Sequence, residues 1–380
     1  MNFVSTPPTP HSHEPSASNN HRQTREIASL FCFGFVGTEP TPWIEQFLRD
    51  WQGAGYILFR RNMESAADLR SLNERLWKLA GAMRPLALVD QEGGPVLRLG
   101  DRGSPVPAMA EVGRTQDPRI ARAFGRLLGH EVRAVGFSVN CAPVLDVHTH
   151  PHNPIIGRRA FSTDPHWVGV MGEALLLGLH DAGVLACAKH FPGHGDTALD
   201  SHLDLPVVSA DRKRLYEVEL APFRHVLARR DPGMVMTAHV LYPSLDPELP
   251  ATLSPHVLTI LRKELAYDGV VVTDDLEMQA VSDRYTMEQV VEYGLRAGVD
   301  LFLICHDETK QRLAIEAAIR LVESGVVSKE RIANSVRRIA RIRSSLRGRV
   351  VPDEPTMRSL LRSPDHLALM DKLAHRDAAG

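Results

Sequence analysis

The segment AKHFPGHGDTALDSH, residues 188–202, contains many side chains that could do chemistry: three histidines, two aspartates and a lysine. These groups could ligate a metal, act as general acids and bases, or form a solvated loop. Asp200 and His202 stand two residues apart, so an extended backbone points both side chains to one side. A carboxylate that holds one imidazole nitrogen makes the other a better acid/base near neutral pH. We therefore predict an Asp200–His202 dyad.

A second candidate lies in GVVVTDDLEM, residues 269–278. Asp274 emerges from an apolar run, where its carboxylate could attack an electrophilic carbon or stabilise a cation. A carboxylate nucleophile opposite a proton donor is the arrangement of retaining glycoside hydrolysis. An Asp–His donor would differ from the usual pair of carboxylic acids. Asp274 is the predicted nucleophile.

The elements that must position these groups alternate along the chain. Amphipathic stretches separate short apolar runs, which indicates βα units around a parallel sheet. Eight such runs predict an α/β fold, a single-domain (β/α)8 TIM-type barrel: LFCFGFVG, GYILF, PLALVD, FSVNCAPVLD, GVLACAKH, GMVMTAH, GVVVTDD and GVDLFLIC. Capping side chains before a proline predict helix starts at Asp117, Asp164, Ser254 and Ser363.

Several of the apolar runs end in an ionisable residue at their C-terminal side: Asp90, Asp146, Lys189, His190, His239, Asp274 and Asp275. Solvated loops would account for any one of these positions. In a TIM-type barrel, however, the C-terminal ends of the strands form the face that carries the active site. We expect these groups to converge there. Arg98, Arg158 and Arg159 offer guanidinium groups that suit hydroxyl and amide oxygens.

Composition restricts the partners. Forty-four basic and forty-six acidic residues give a formal charge of −2 without long single-sign runs, so neither nucleic acid nor a membrane surface is an expected partner. Four scattered cysteines without C-x-x-C spacing fit reduced core thiols in the cytoplasm. We expect a disordered leader over residues 1–23 rather than a signal peptide, a catalytic barrel over 24–348, and a polar tail over 349–380.

Five motifs, in this order, carry a resemblance: VDQEGG, APVLDV, GRRAFS, KHFPGHGDTALDSH and VVTDDLEM. From about residue 30 to 345 the chain resembles the glycoside hydrolase family 3 β-N-acetylglucosaminidases of bacteria. The resemblance implies a TIM-type barrel that removes non-reducing terminal N-acetylglucosamine with retention, without metal or cofactor. Asp274 would be the nucleophile and His202 the acid/base, with Asp200 as its partner. The implied sugar contacts are Asp90, Arg98, Arg159, Lys189 and His190.

Family members without a second domain are mostly cytoplasmic enzymes of peptidoglycan recycling. The resemblance therefore implies N-acetylglucosaminyl-1,6-anhydro-N-acetylmuramic acid, with or without peptide, as substrate. Three positions depart from the family pattern. Pro95 and Leu97 replace the usual Arg and Gln in the loop before Arg98, so this loop would differ in backbone and hydrogen bonding. Arg158 replaces an acidic residue, which is expected to add positive charge near the mouth of the site.

Other interpretations remain open at this point. A metal-dependent hydrolase would use ligand types present in one loop: His190, His194, Asp196, Asp200 and His202. A silent sugar-binding protein would keep the pocket without turnover. The sequence leaves open the choice between water and phosphate as acceptor, because a histidine acid/base does not repel an anion as a carboxylate would. It also leaves open the oligomeric state.

Overall fold

A computed structural model of the chain describes residues 17–197, 201 and 204–377. Its strands are β1 (Phe31–Phe33), β2 (Gly55–Ile57), β3 (Leu86–Val89), β4 (Gln91–Gly93), β5 (Val96–Leu97), β6 (Val139–Asn140), β7 (Leu185–Phe191), β8 (Gly233–Thr237), β9 (Val270–Asp275) and β10 (Leu301–Ile304). All except β4 and β5 close into one parallel barrel, in the order β1-β10-β9-β8-β7-β6-β3-β2. Each predicted apolar run supplies one barrel strand, which confirms the predicted fold class.

The helices before, between and after the strands are α1 (Ala17–Ala28), α2 (Pro42–Arg49), α3 (Ala66–Leu79), α4 (Met109–Arg114), α5 (Pro118–Ala134), α6 (Pro165–Asp181), α7 (Arg212–Glu217), α8 (Ala221–Leu227), α9 (Pro255–Thr259), α10 (Gln279–Ser282), α11 (Met287–Ala297), α12 (Glu308–Glu323), α13 (Lys329–Ser344), α14 (Glu354–Leu360) and α15 (Pro364–Asp377). Short 3₁₀ turns occupy Arg60–Asn62, Gly100–Arg102, Gly157–Arg159 and Ala251–Leu253, and a π turn follows α9 at Ile260–Glu264. No helix within the described ranges has the length and apolar character needed to cross a bilayer.

The predicted helix caps are present. Asp117 and Asp164 accept from the backbone N–H two residues ahead, and Ser254 and Ser363 accept from the N–H three residues ahead. Each side chain satisfies a donor that the first helical turn leaves without an intrahelical partner. These caps fix where the helices behind the barrel begin.

The barrel strands bring their C-terminal ends to one level. β8 and β9 pair in parallel, with Met234 opposite Val270 and Thr237 opposite Thr273. The valines at the start of β9 are fully buried, as expected for a strand covered on both faces. Asp274 therefore leaves the core at the same face as the end of β8. This register places the polar strand ends around one opening.

A two-stranded hairpin follows β3 at this face. β4 and β5 pair antiparallel, with Gln91 opposite Leu97. The side chain of Asn140, at the end of β6, accepts from the N–H of Gln91 and donates to its carbonyl, at 3.0 and 2.8 Å. The Gln91 side chain in turn accepts from Leu99 N–H at 3.1 Å. The hairpin is thus fixed to the barrel, with Glu92 on one strand and Arg98 directly after the other.

The two ends of the described chain contain more helix than the sequence indicated. Helix α1 begins at Ala17, inside the segment for which a leader was predicted, and residues 349–377, predicted as a tail, contain α14 and α15. Glu131 of α5 is fully buried and accepts from Arg362 N–H at 2.9 Å and from His366 Nδ1 at 3.3 Å. These bonds attach the C-terminal helices to the outside of the barrel.

A second buried carboxylate joins α13 to the barrel, away from the polar strand ends. Asp300 precedes β10 and has no exposed surface. It accepts from Val271 N–H at 3.0 Å and from the Ser335 hydroxyl at 2.6 Å, and Arg338 lies 3.3 Å from it. These donors compensate for the free-energy cost of burying the Asp300 carboxylate. Its role is structural.

Candidate active site

A cavity of about 380 Å³ opens at the C-terminal ends of the barrel strands. Its lining includes every predicted site residue that the structure describes: Asp90, Arg98, Arg159, Lys189, His190 and Asp274. They come from β7, β9, the hairpin and the loops behind β3 and β6. The predicted dyad, Asp200 and His202, lies outside the described residues. Ser201, between them in sequence, lines the same cavity.

A buried ionic cluster forms one wall of the cavity. The Lys189 ammonium lies 2.8 Å from Asp90 Oδ1 and 2.6 Å from Glu92 Oε1. The Arg159 guanidinium binds both Glu92 oxygens, at 2.8 and 2.9 Å. Burial alone would raise the pKa of Glu92, but Arg159 and Lys189 hold it well below its ordinary value. The pKa of Lys189 is raised because Asp90 and Glu92 outweigh its burial. Glu92, Lys189 and Arg159 are therefore charged at neutral pH.

Arg98 and Asp90 form the outer part of this wall. Arg98 Nη2 lies 3.5 Å from Asp90 Oδ2, and Arg98 Nε is buried without a hydrogen-bond partner among the described residues. Phe59 lies against the Arg98 guanidinium, with 5.7 Å between the carbon and the ring centre. The two side chains keep 32% and 15% of their surfaces exposed, so a donor and an acceptor stand side by side, which suits a ligand whose groups both donate and accept, as sugar hydroxyls do.

Asp274 presents its carboxylate to the cavity from the end of β9. Its Oδ1 accepts from Asp275 N–H at 2.8 Å, and its Oδ2 lies 4.0 Å from His190 Nε2. Burial acts to raise the pKa of Asp274, but electrostatic interactions, with His190 first and with the charged Lys189 as well, lower it below the ordinary value. The side chain keeps 27% of its surface exposed. Asp274 is thus an ionised, accessible carboxylate, as a nucleophile requires.

His239 differs in position from the other predicted strand ends. It lies buried below Asp274, where Nδ1 contacts the Thr252 hydroxyl at 2.8 Å and Nε2 contacts the Asp275 carbonyl at 3.0 Å. Burial lowers its pKa, so the ring is neutral at pH 7. Both nitrogens are occupied, which makes His239 a support for the end of β9 rather than a residue of the cavity wall.

The loop behind β7 is fixed at its start and again at Ser201, which stands between the two undescribed residues of the dyad. His194 Nδ1 contacts the Thr197 hydroxyl at 2.9 Å, and Nε2 contacts the Ser201 hydroxyl at 3.2 Å. Asn153 donates to the His194 carbonyl at 2.9 Å. Gly195 packs so closely on the Val147 carbonyl that an added Cβ would lie 1.7 Å from its oxygen. Any larger residue would displace this loop.

The metal hypothesis finds little geometric support in the described part of the chain. Of its five proposed ligands, the three that are described, His190, His194 and Asp196, do not come together as a set of ligand atoms. The group that does come together there is Asp275, Glu277 and His306, at the rim. Arg61 already occupies His306 Nε2 at 2.8 Å, and Lys310 lies 3.7 Å from Glu277. The positive charges of Arg61 and Lys310 beside this group oppose the binding of a metal cation there.

The positive charge that Arg158 was expected to add near the mouth is paired with a carboxylate outside the cavity lining. Arg158 does not line the cavity: it is largely exposed and pairs with Glu111 of α4. It stands next to Arg159 in sequence, but in the 3₁₀ turn the neighbouring side chains diverge, so Arg159 enters the cavity and Arg158 faces solvent. At the other departures from the family pattern, Leu97 keeps its place in the hairpin, and its carbonyl accepts from Arg60 at 2.8 Å.

Residues 27–342 match the family model described as the glycosyl hydrolase family 3 N terminal domain. The chain belongs to glycosyl hydrolase family 3. It is 33% identical over 369 residues to beta-hexosaminidase A of Pseudoalteromonas piscicida, which covers 90% of this chain and 61% of that relative. It is 38% identical over 289 residues to a beta-hexosaminidase of Pseudomonas aeruginosa, covering 75% of this chain and 85% of the relative. The chain thus spans less than two thirds of the Pseudoalteromonas relative.

Solved structures of the same family share the fold. A glycoside hydrolase family 3 β-N-acetylglucosaminidase from Paenibacillus sp. str. FPU-7 superposes with a TM-score of 0.82 at 38% identity, over 89% of this chain and 67% of that chain. The β-N-acetylglucosaminidase from Thermotoga maritima gives 0.75 at 31% identity, over 84% of this chain and 67% of that one. The match to the family includes every element that lines the cavity of the family 3 barrel described above.

Sequence reasoning missed three residues of this family 3 site. Glu92 lies within the VDQEGG motif but is not among the predicted site residues, although it binds both Arg159 and Lys189. His194 was considered only as a metal ligand. His306 lies at the rim, stacked on Phe59 with ring centres 5.7 Å apart. Only Glu92 had a signal in the sequence: a carboxylate directly behind a strand end, two residues after Asp90.

Proposed function

We propose that the protein is a retaining β-N-acetylhexosaminidase that removes non-reducing terminal β-linked N-acetylglucosamine through a covalent intermediate on Asp274. The observation that carries this proposal is an ionised, accessible Asp274 facing a charged wall of hydrogen-bonding groups in one cavity. The β-hexosaminidases and β-N-acetylglucosaminidases among the relatives support the same chemistry.

In the first step, an Asp274 oxygen attacks the anomeric carbon while the bond to the leaving oxygen breaks. His202, oriented by Asp200, gives its proton to that oxygen, and an α-linked glycosyl-enzyme forms. In the second step, His202 takes a proton from water, whose oxygen attacks the same carbon and releases Asp274. The two inversions restore the β configuration. Neither step uses a cofactor.

The described residues supply two contributions to this reaction. The low pKa of Asp274 keeps the nucleophile ionised at neutral pH without a separate base. Asp90, Arg98, Arg159 and Lys189 offer fixed donors and acceptors around the sugar, and Lys189 and Arg159 are held rigidly by Glu92. Groups that are already oriented lose little entropy when the substrate binds, so binding energy can be used to position the anomeric carbon over Asp274.

For the physiological substrate we propose N-acetylglucosaminyl-1,6-anhydro-N-acetylmuramic acid and its peptide-bearing forms, acted on in the cytoplasm during peptidoglycan recycling. The family resemblance supports this choice. A comparison of kcat/KM for this disaccharide and for the N-acetylglucosamine dimer tests it. A preference for the anhydromuramyl substrate is expected, and an equal or higher kcat/KM for the dimer would refute the substrate assignment while leaving the reaction class intact.

The reaction itself is tested by release of 4-nitrophenol from its β-N-acetylglucosaminide. We expect wild-type activity that resists EDTA and that Asp274→Ala abolishes. Asp181→Ala, which removes a surface aspartate paired with Arg122 far from the cavity, is the matched control and should keep full activity. Loss of activity with EDTA would favour the metal-dependent hydrolase. Absence of turnover with intact sugar binding would favour the silent binder. A rate that increases with phosphate would favour phosphorolysis.

A further inference from the structure

Asp146 follows β6 and lies outside the cavity wall. It makes an unusual set of contacts for such a residue. It has no exposed surface. Its Oδ2 lies 2.7 Å from His190 Nδ1, and its Oδ1 accepts from the backbone N–H groups of His190 and His194, at 3.2 and 2.7 Å. One buried carboxylate therefore holds both the His190 ring and the first turn of the loop behind β7.

The ionisation of Asp146 determines which nitrogen of His190 carries the proton. Burial acts to raise the pKa of Asp146, but the interactions with His190 and the His194 N–H lower it below its ordinary value. An ionised carboxylate only accepts hydrogen bonds, so the proton between the two groups sits on His190 Nδ1. Nε2 then points to the cavity, 4.0 Å from Asp274 Oδ2 and 3.5 Å from Arg159 Nη2.

We propose that Asp146 is a positioning residue that acts through His190: it holds Nδ1 and so fixes the imidazole with Nε2 toward Asp274, an arrangement that keeps the nucleophile ionised at the acid end of the working pH range. The inference rests on the proposed function, because it assigns an effect on Asp274 as nucleophile. Asp146 itself touches neither the cavity nor the reacting atoms.

Charged and titratable groups face the His190–Asp274 pair from several elements: Asp146, Arg159, Lys189, His194, His239 and Asp275. The positive charges of Arg159 and Lys189 are balanced by the carboxylates of Glu92 and Asp90. His239 is uncharged because burial lowers its pKa. His194 is neutral too, since burial and the neighbouring His190 lower its pKa to about 4. Of the two described histidines that act on Asp274, His190 and His239, only His190 has a carboxylate on its far nitrogen, which makes it the route by which Asp146 acts.

The test is the pH profile of kcat/KM for 4-nitrophenyl β-N-acetylglucosaminide, whose acid limb reports the ionisation of the nucleophile in the free enzyme. Asp146→Asn should move this limb upward by about one pH unit, because the imidazole loses its anionic partner. In a His190→Gln background, Asp146→Asn should produce no further upward shift.

Asp246→Asn is the matched control: Asp246 is also buried and accepts from two backbone N–H groups, but it lies outside the cavity. Its acid limb should coincide with that of the wild type.

An unchanged acid limb in folded Asp146→Asn, or an equal shift with and without His190, would overturn the inference. Nitrogen-15 NMR of the histidine rings of the wild type provides a measurement that does not depend on the variant folding. Protonated Nδ1 of His190 at pH 7 is expected, and an unprotonated Nδ1 would also overturn it. Failure of the proposed function gives a different result, in which the wild type has no activity or Asp274→Ala retains it.

Discussion

The two adjacent arginines of the Gly157–Arg159 turn allow a direct comparison of a buried and an exposed ion pair. Arg159 binds both oxygens of Glu92, whose side chain is 1% exposed, and Lys189 lies 2.6 Å from the same carboxylate. Glu92→Gln keeps the shape but removes the negative charge between two buried cations. Breaking a buried pair from one side costs about 3–5 kcal/mol. We expect the free energy of unfolding to fall by about that amount.

Glu111→Gln is the matched control, because it removes the same charge opposite Arg158, whose side chain is 72% exposed. Solvent screens such a pair, and we expect a loss of at most about 1 kcal/mol. Equilibrium unfolding in urea, followed by circular dichroism, measures both values without added salt. The depressed pKa of Glu92 predicts a contribution that is complete above about pH 4.3 and declines as the pH falls further. Equal losses in the two variants, or a loss for Glu92→Gln that does not exceed about 1 kcal/mol, would refute the reasoning.

Three further predictions follow from the same contacts. Asp300→Asn should lower the free energy of unfolding by about 3 kcal/mol without changing kcat/KM of the folded enzyme, because the buried donors around Asp300 are far from the cavity; a change in kcat/KM would show that the two ends of the barrel are coupled. His194 has a pKa of about 4, so stability should decrease by on the order of 3 kcal/mol as the pH falls from 6.5 to 4, and much less in His194→Gln; parallel pH profiles in urea would contradict this. His202→Ala should reduce kcat/KM much more for disaccharides than for 4-nitrophenyl substrates, which need no proton donor; equal losses would remove its assigned role.

Much of the barrel could be predicted because its signals are local. Every barrel strand is an apolar run with a turn or an ionisable residue behind it, and every predicted cap is a short polar side chain before a proline. Parallel strands then place their C-terminal ends together, so Asp90, Lys189 and Asp274 could be assigned to one site before their distances were known. The described residues of the predicted site confirm this convergence.

The contacts that hold the site together could not be predicted, because they depend on distances between remote segments. Glu92 and Arg159 are separated by 67 positions, and Asp146 and His190 by 44. The sequence likewise does not show that Arg158 and Arg159 face opposite ways, because a 3₁₀ turn rather than a strand carries them. Helices α14 and α15 attach to the barrel through the buried carboxylate Glu131 and through a few apolar residues, including Met357 and Leu373, that are spaced too sparsely to stand out in a polar segment.

The central claim is that Asp274 forms a covalent bond to the sugar. The most direct measurement is mass spectrometry of the enzyme after reaction with 5-fluoro-N-acetylglucosaminyl fluoride, a substrate whose glycosyl-enzyme forms faster than it hydrolyses. We predict one added fluorosugar per chain, found after digestion on the peptide that contains Asp274, and none on Asp274→Ala. A label on another residue, or turnover of natural substrate without any labelled enzyme, would contradict the account.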